Sequence, residues 1–196
     1  MLGNAAVTIW CEVAPEVRAE FDDWHAHEHM PERLSIPGFL RGSRWVGDAG
    51  YFMLYEARDE STLTTGPYLE RLNNPTPWSR KMMPHHRGMV RGLCRVEGST
   101  GTALGLALLT VRFSGEPVLD MAALAARPGI VAAHLLRSMA QPGAQTAEQK
   151  LRGGDQAPDR VALVIGYDPG VVALVAREMP SGIAGVYRLA HTLTAD

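Results

Sequence analysis

One order of elements occurs twice along this chain of 196 residues, and a repeat of that kind constrains the fold more than any single motif. Residues Ala6–Val13 alternate, with Val7, Ile9, Cys11 and Val13 on one side and Thr8, Trp10 and Glu12 on the other, as in a strand with one buried face. Pro15 opens a helix whose apolar stripe is Val17, Phe21 and Trp24, and Met30, placed before Pro31, is expected to end or break it. Pro37-Gly38 turns the chain into a strand Phe39–Val46. Gly47-Asp48-Ala49-Gly50 makes a hairpin, and Tyr51–Ala57 is the returning strand. A polar helical stretch over Ser61–Leu72, an irregular Pro-rich segment to Gly88 and a strand Met89–Val96 complete a β-α-β-β-α-β unit.

Gly98-Ser99-Thr100-Gly101 reads as a flexible linker, after which the order begins again. Leu106–Phe113 is a strand, Leu119–Ala126 a short helix, and Pro128-Gly129 repeats the earlier turn ahead of a strand Ile130–Met139. Arg160–Tyr167 is the next strand, Pro169–Met179 a helix and Ile183–Leu193 the last strand. Four antiparallel strands with both helices on one face form the ferredoxin-like unit, whose other face is apolar and uncovered. The expected fold is therefore α+β: two tandem units, residues 1–98 and 102–196, covering each other's bare sheets as an intramolecular pseudo-dimer. A homo-oligomer of that pseudo-dimer, through edge strands, stays open.

The copies differ where chemistry would sit. The second lacks counterparts of His25–Arg33 and Asn73–Arg87, and these two segments hold His25, His27, His29, His85 and His86, five of the seven histidines. The second copy instead has a long polar hairpin loop, Ala140–Asp159, expected to be mobile. A single site confined to the first half follows, with the second half as structural partner.

On a helix Glu28 falls on the Phe21–Trp24 face, His25 and His29 share one flank, and His27 lies on the other. A carboxylate on a core-facing stripe needs a cavity or a partner, for which Arg33, Arg41 or a histidine are the candidates. A histidine beside a carboxylate at a cavity edge is what general acid–base catalysis uses. Three readings stay open at this point: histidines that cap a helix end in solvent, acid–base or orienting work by His25 or His29, and a metal held by His25 and His29 with His85 or His86. The His-Glu-x-x-His pattern of metalloproteases is absent. Trp78 and the prolines of Asn73–Arg87 suggest an ordered cap over the site, and Tyr51 and Tyr55 share one sheet face.

Nineteen Lys and Arg against 21 Asp and Glu, a formal charge of −2, argue against a nucleic-acid surface. Apolar runs fall short of a membrane span, and no secretory signal is visible at Met1–Val7. Two cysteines, Cys11 and Cys94, fit a reduced cytoplasmic interior better than a stapled secreted domain. No phosphate-binding glycine loop and no Gly-x-Ser-x-Gly elbow occur.

Trp24-His25…Glu28-His29-Met30-Pro31-Glu32-Arg33…Ile36-Pro37-Gly38-Phe39 resembles the signature of EthD-like proteins of the dimeric α+β barrel superfamily. The Tyr51–Glu56 strand and Asn74-Pro75-Thr76-Pro77-Trp78 extend the resemblance, which spans about residues 5–97. It implies two units packed sheet to sheet into a barrel, with ligand clefts between sheet and helices. It also implies His29 as the acid–base or ligand-orienting group. Superfamily relatives include cofactor-free monooxygenases of aromatic metabolites, lactone isomerases, polyketide cyclases and haem-binding enzymes. The expected function is thus a small-molecule enzyme of aromatic, polyketide or lactone metabolism, using His29 with His25 and Glu28. Trp24, Arg33, Tyr55, Trp78, His85 and His86 are the expected substrate-binding residues. No cofactor is expected, haem or a metal ion being the alternatives. The alternative function is a non-catalytic small-molecule or haem-binding protein.

Overall fold

Apolar side chains on both faces of the strands decide how the chain closes. The computed structural model describes residues 1–140 and 143–196. In β1 (Ala5–Val13), Val7, Cys11 and Val13 pack under helices while Ala6, Thr8 and Trp10 are buried on the opposite side. The other half of the chain covers that second face, as expected of two units packed through their bare sheets. The remaining strands are β2 (Phe39–Gly47), β3 (Gly50–Ala57), β4 (His86–Thr100), β5 (Ala107–Phe113), β6 (Ile130–Ser138), β7 (Arg160–Gly166) and β8 (Ile183–Thr194). They form one closed antiparallel barrel in the order β1-β3-β2-β8-β5-β7-β6-β4.

Each half contributes four neighbouring strands, and two seams join the halves. Arg41 to Val46 of β2 pair with β8, and Cys94 to Thr100 of β4 pair with β6. Trp10, Trp45, Phe52, Leu108, Leu136, Leu163 and Tyr187 fill the interior, where the Trp10 indole donates to Thr110 Oγ1 at 3.1 Å across the two halves. Two tandem ferredoxin-like units thus make a dimeric α+β barrel within one chain. Closure gives every strand two neighbours in the sheet. The second seam also corrects the linker: Gly98, Ser99 and Thr100 are strand, paired with Leu135, His134 and Ala133.

Helices α1 (Arg18–Trp24), α2 (Met30–Leu34), α3 (Gly66–Asn73) and α4 (Pro77–Met82) cover the outer face of the first half. On the second half lie α5 (Met121–Ala125) and α7 (Pro169–Glu178), with α6 (Ala147–Leu151) in the β6–β7 connection. The stretch read as one helix over Ser61–Leu72 is a tight turn, Glu60–Thr64, followed by α3, because Gly66-Pro67 restarts the helix behind a Thr65 cap. The Pro-rich segment is likewise ordered. Thr76 caps α4 by accepting from Ser79 N at 3.0 Å, and a turn at Met83–His85 leads directly into β4. The polar loop Ala140–Asp159 includes α6, which packs against the first half. There Ala147 N donates to Asn73 Oδ1 at 3.1 Å. The part of that loop formed by Gln141 and Pro142 lies outside the described residues.

Candidate functional site

Helix α1 does not stop at Met30. It widens at His25–His29 into a π-helical turn in which Met30 N–H donates to the His25 carbonyl, and then continues as α2. The wider turn relieves the clash that Pro31 would make with the carbonyl four residues earlier, and buried Met30 and Leu34 hold the continuation against the sheet. The four-residue spacing then puts His25 and His29 side by side, ring centroids 5.8 Å apart, both buried. His27 is on the solvent side, with Nδ1 3.0 Å from the Asp23 carbonyl oxygen.

His25 Nε2 lies 3.0 Å from the Tyr55 hydroxyl, a tyrosine on the helix-facing side of β3. Trp24 packs on the His29 ring at 4.5 Å between centroids. His86 meets Phe21 edge-on at 5.3 Å, with its Nδ1 2.9 Å from the Met83 carbonyl oxygen. The Nδ1 atoms of His25 and His29 are buried without a hydrogen-bond partner. Burial pulls both rings well below the usual histidine range, reinforced by Arg44 for His25 and by Arg33 for His29. Burial also lowers His86, to about 4, and raises the Tyr55 hydroxyl. At neutral pH the cluster is therefore uncharged, and its histidines are weak bases whose open nitrogens can hydrogen-bond a ligand.

Next to His29 is a small cavity of about 30 Å³, room for a water or two. Its floor is Val7, Ile9, Phe39 and Tyr55 of the sheet, and its sides are His29 and Arg33, Tyr68 and Leu72 of α3, and Arg91 of β4. Glu148 and Arg152 close it. Arg33 is buried and bonded directly to Glu148, 115 positions further along the chain. Burial opposes the Arg33 charge, but Glu148 together with Glu32 and Tyr68 outweighs it and the guanidinium is held more firmly protonated. Two residues of the second half therefore line the cavity, so the expectation of a lining drawn from the first half alone does not hold here. Neither of two larger open grooves, about 590 Å³ beside Pro37 and about 490 Å³ beside Asp159, is lined by a histidine.

Of the residues singled out from the sequence, His25, His29, Trp24, Tyr55 and Arg33 come together, and His86 stands behind them on Phe21 and Trp24. Glu28 does not face the histidines. Its Oε1 accepts from Trp24 Nε1 at 3.2 Å and Thr76 Oγ1 at 2.6 Å, so it ties α4 to the first helix. The partners expected for it are taken elsewhere, Arg33 by Glu148 and Arg41 by Glu56 at 2.6 and 2.8 Å. Trp78 is half-buried and donates to Glu20 at 3.2 Å, and His85 is half-exposed; neither lines the cavity. Among the described residues no three His, Cys, Asp or Glu side chains gather into a metal-holding cluster, so His25 and His29 are not joined by His85 or His86.

Arg91, Tyr68, Glu148 and Arg152 were not singled out from the sequence. The one available signal was Thr146-x-x-Gln149, a capping box that marks a helix start inside the loop, and the structure forms it.

No protein-family model and no curated protein matches the sequence. Solved structures do match its fold. An anthrone oxidase-like protein covers 100% of the chain over 94% of its own length, at 11% identity and a TM-score of 0.57. A candidate monooxygenase from Fusobacterium nucleatum subsp. nucleatum covers 99% over 96% of its length, at 6% identity and a TM-score of 0.56. Another from Lactobacillus acidophilus NCFM covers 98% over 97%, at 11% identity and a TM-score of 0.52. Among the described residues no helix is long and apolar enough to cross a membrane. The chain has the dimeric α+β barrel fold, both halves in one polypeptide.

Proposed function

We propose that the protein is a cofactor-independent enzyme acting on a small enolisable or phenolic molecule, with His29 as the proton acceptor. The observation that carries this reading is a pair of buried, uncharged histidines, each with an unpartnered Nδ1, one of them bordering a cavity that also holds a guanidinium. Proton transfer from substrate to His29 would create an imidazolium beside a substrate anion. With substrate filling the chamber in place of water those opposite charges stabilise each other, and Arg33 adds to the stabilisation of the anion. His25, held by Tyr55, acts as a positioning residue for His29. Glu28 contributes by holding the cap of α4 rather than by contact with substrate.

Two further observations support the reading. The Glu28-His29-Met30-Pro31 segment resembles that of EthD-like proteins, and the structural neighbours include an anthrone oxidase-like protein and candidate monooxygenases. Proton abstraction is a first step that an isomerase, a cyclase and a cofactor-free monooxygenase of such substrates have in common. Residues 1–98 then carry the catalytic group, and residues 102–196 complete the barrel and lend one loop. Free, buried Cys11 and Cys94 support work in the reducing cytoplasm. The test is turnover of a panel of anthrones, hydroxyquinones and enolisable lactones, followed by absorbance and oxygen uptake. His29→Ala should lose about 100-fold or more in kcat, the contribution of a positioned general base. Unchanged turnover in His29→Ala would sink the proposal.

A further inference from the structure

Three guanidinium groups (Arg33, Arg91 and Arg152) and a single carboxylate, Glu148, line the chamber beside His29. Arg33 and Glu148 are buried and in contact, and Arg152 reaches the second oxygen of Glu148 at 3.6 Å. Arg152 is also forked onto Asp155 at 2.8 and 2.9 Å, while Arg91 donates to the Tyr68 hydroxyl at 2.6 Å. A buried ion pair of this kind costs desolvation that an apolar pair would avoid, so it adds little to folding. Asp155 already faces Arg152 and, at 3.8 Å, Arg91, and Glu32 lies 3.5 Å from Arg33, so the seat for a carboxylate beside His29 is Arg33 itself, and Glu148 fills it.

Glu148 sits on a short helix bracketed by glycines. Gly143 lies before α6, and Gly153 and Gly154 after it, with φ of +85°, +84° and +90°, a conformation that any other residue adopts only under strain. Beyond these the chain is pinned, since Arg91 N donates to the Gln156 carbonyl at 2.7 Å. Under residues 143–146 runs a groove of about 200 Å³ that shares Tyr68, Leu72 and Arg91 with the chamber. A chamber of about 30 Å³ admits no aromatic ring, for which a cavity of about 150 Å³ is needed. Chamber and groove joined have that room.

We propose that residues 143–154 are a lid and that Glu148 occupies the place of the substrate's own anionic group. The site takes a small aromatic monoanion of the carboxylate class. This ligand displaces Glu148 from Arg33, lies across the chamber and the groove, and presents its ring to Tyr55 and Tyr68. Exchange of one carboxylate for another keeps the charge in the wall constant while Glu148 moves into water. The inference rests on the reading of the His29 chamber as the active site, and it adds the charge class of the ligand and the way in.

The test is calorimetric binding of salicylate and of salicylamide, the neutral amide of the same ring, to the whole protein. Salicylate should bind, and salicylamide about tenfold more weakly, the worth of one charge-assisted hydrogen bond. Glu148→Gln should tighten salicylate about tenfold, and Arg33→Gln should erase the preference for the anion. A reversible staple, Asn73→Cys with Ala147→Cys, should abolish binding when oxidised and restore it on reduction. No salicylate binding, equal binding of the two probes, a Glu148→Gln protein that binds salicylate no better, or full binding to the oxidised staple would each overturn the proposal. All of these read binding alone. Normal turnover in His29→Ala would therefore sink the catalytic reading and leave this one standing, while turnover of neutral substrates unaffected by Glu148→Gln would do the reverse.

Discussion

Beneath α1 and α2 the first half buries His25, His29, His86, Tyr55 and Arg33; beneath α5 and α7 the second half buries Leu109, Val111, Leu124, Val164, Val172 and Val175. The strand order is the same, and so is the placement of helices on the outer face of the barrel. The second half shows that the architecture needs only apolar complementarity in this layer. The first half pays more for the same shape, because each unpartnered buried imidazole nitrogen costs about 1–3 kcal/mol. Polar burial that the fold does not require is the mark of a site.

The comparison can be broken most directly at Arg33. Arg33→Met should destabilise the protein by about 3–5 kcal/mol in urea unfolding, since it leaves Glu148 buried without its main counter-charge. The double variant with Glu148→Leu should recover most of the loss, turning this corner of the first half into a copy of the second. A small cost for Arg33→Met alone would mean that Arg152 suffices for Glu148.

The pH dependence sharpens the same contrast. His25, His29 and His86 are uncharged in the folded protein well below the pH of about 6.5 at which unfolded histidines protonate. The unfolded chain then binds more protons, so stability falls as pH drops below about 6.5, by about 1.4 kcal/mol per pH unit for each histidine. For His86 the loss continues to about pH 4, where the folded ring also protonates. His86→Gln should remove one share of that slope. Leu124→Ala, in the apolar half, should lower the whole curve and leave its slope unchanged. Equal slopes in His86→Gln and the parent protein would contradict the assignment.

The smallest expected effect is at Glu28, which has no equivalent in the second half. Glu28→Gln weakens the bonds to Thr76 and Trp24 and should cost about 1 kcal/mol, read in thermal unfolding, together with faster amide exchange across α4. Loss of turnover without either change would return Glu28 to a direct catalytic role.

Much of this was legible from the chain alone. Alternation along Tyr51–Ala57 correctly puts Tyr51, Met53 and Tyr55 on one sheet face and Phe52 and Leu54 on the other, because side-chain direction in a strand is a local, period-two property; that the first face meets the helices and the second the barrel interior comes from the structure. The four-residue step from His25 to His29 likewise survives as a side-by-side pair. The end of the first helix was not legible. Pro31 argues for a break, and only the packing of Met30 and Leu34 against the sheet makes the π-helical turn the better solution.

By itself, then, the sequence determined the repeated order of strands and helices, the turns at Pro37-Gly38 and Pro128-Gly129, and the half that carries the histidines. Each of these is written in periodicity and backbone preference over a few residues. Closure of the barrel, the turning of Glu28 toward Thr76 and the arrival of Glu148 at Arg33 were decided by the tertiary structure. Two side chains 115 residues apart meet only because the β4–β6 seam brings the β6–β7 connection over the first half. No local pattern encodes where a loop lands, since its position depends on the burial of every strand beneath it.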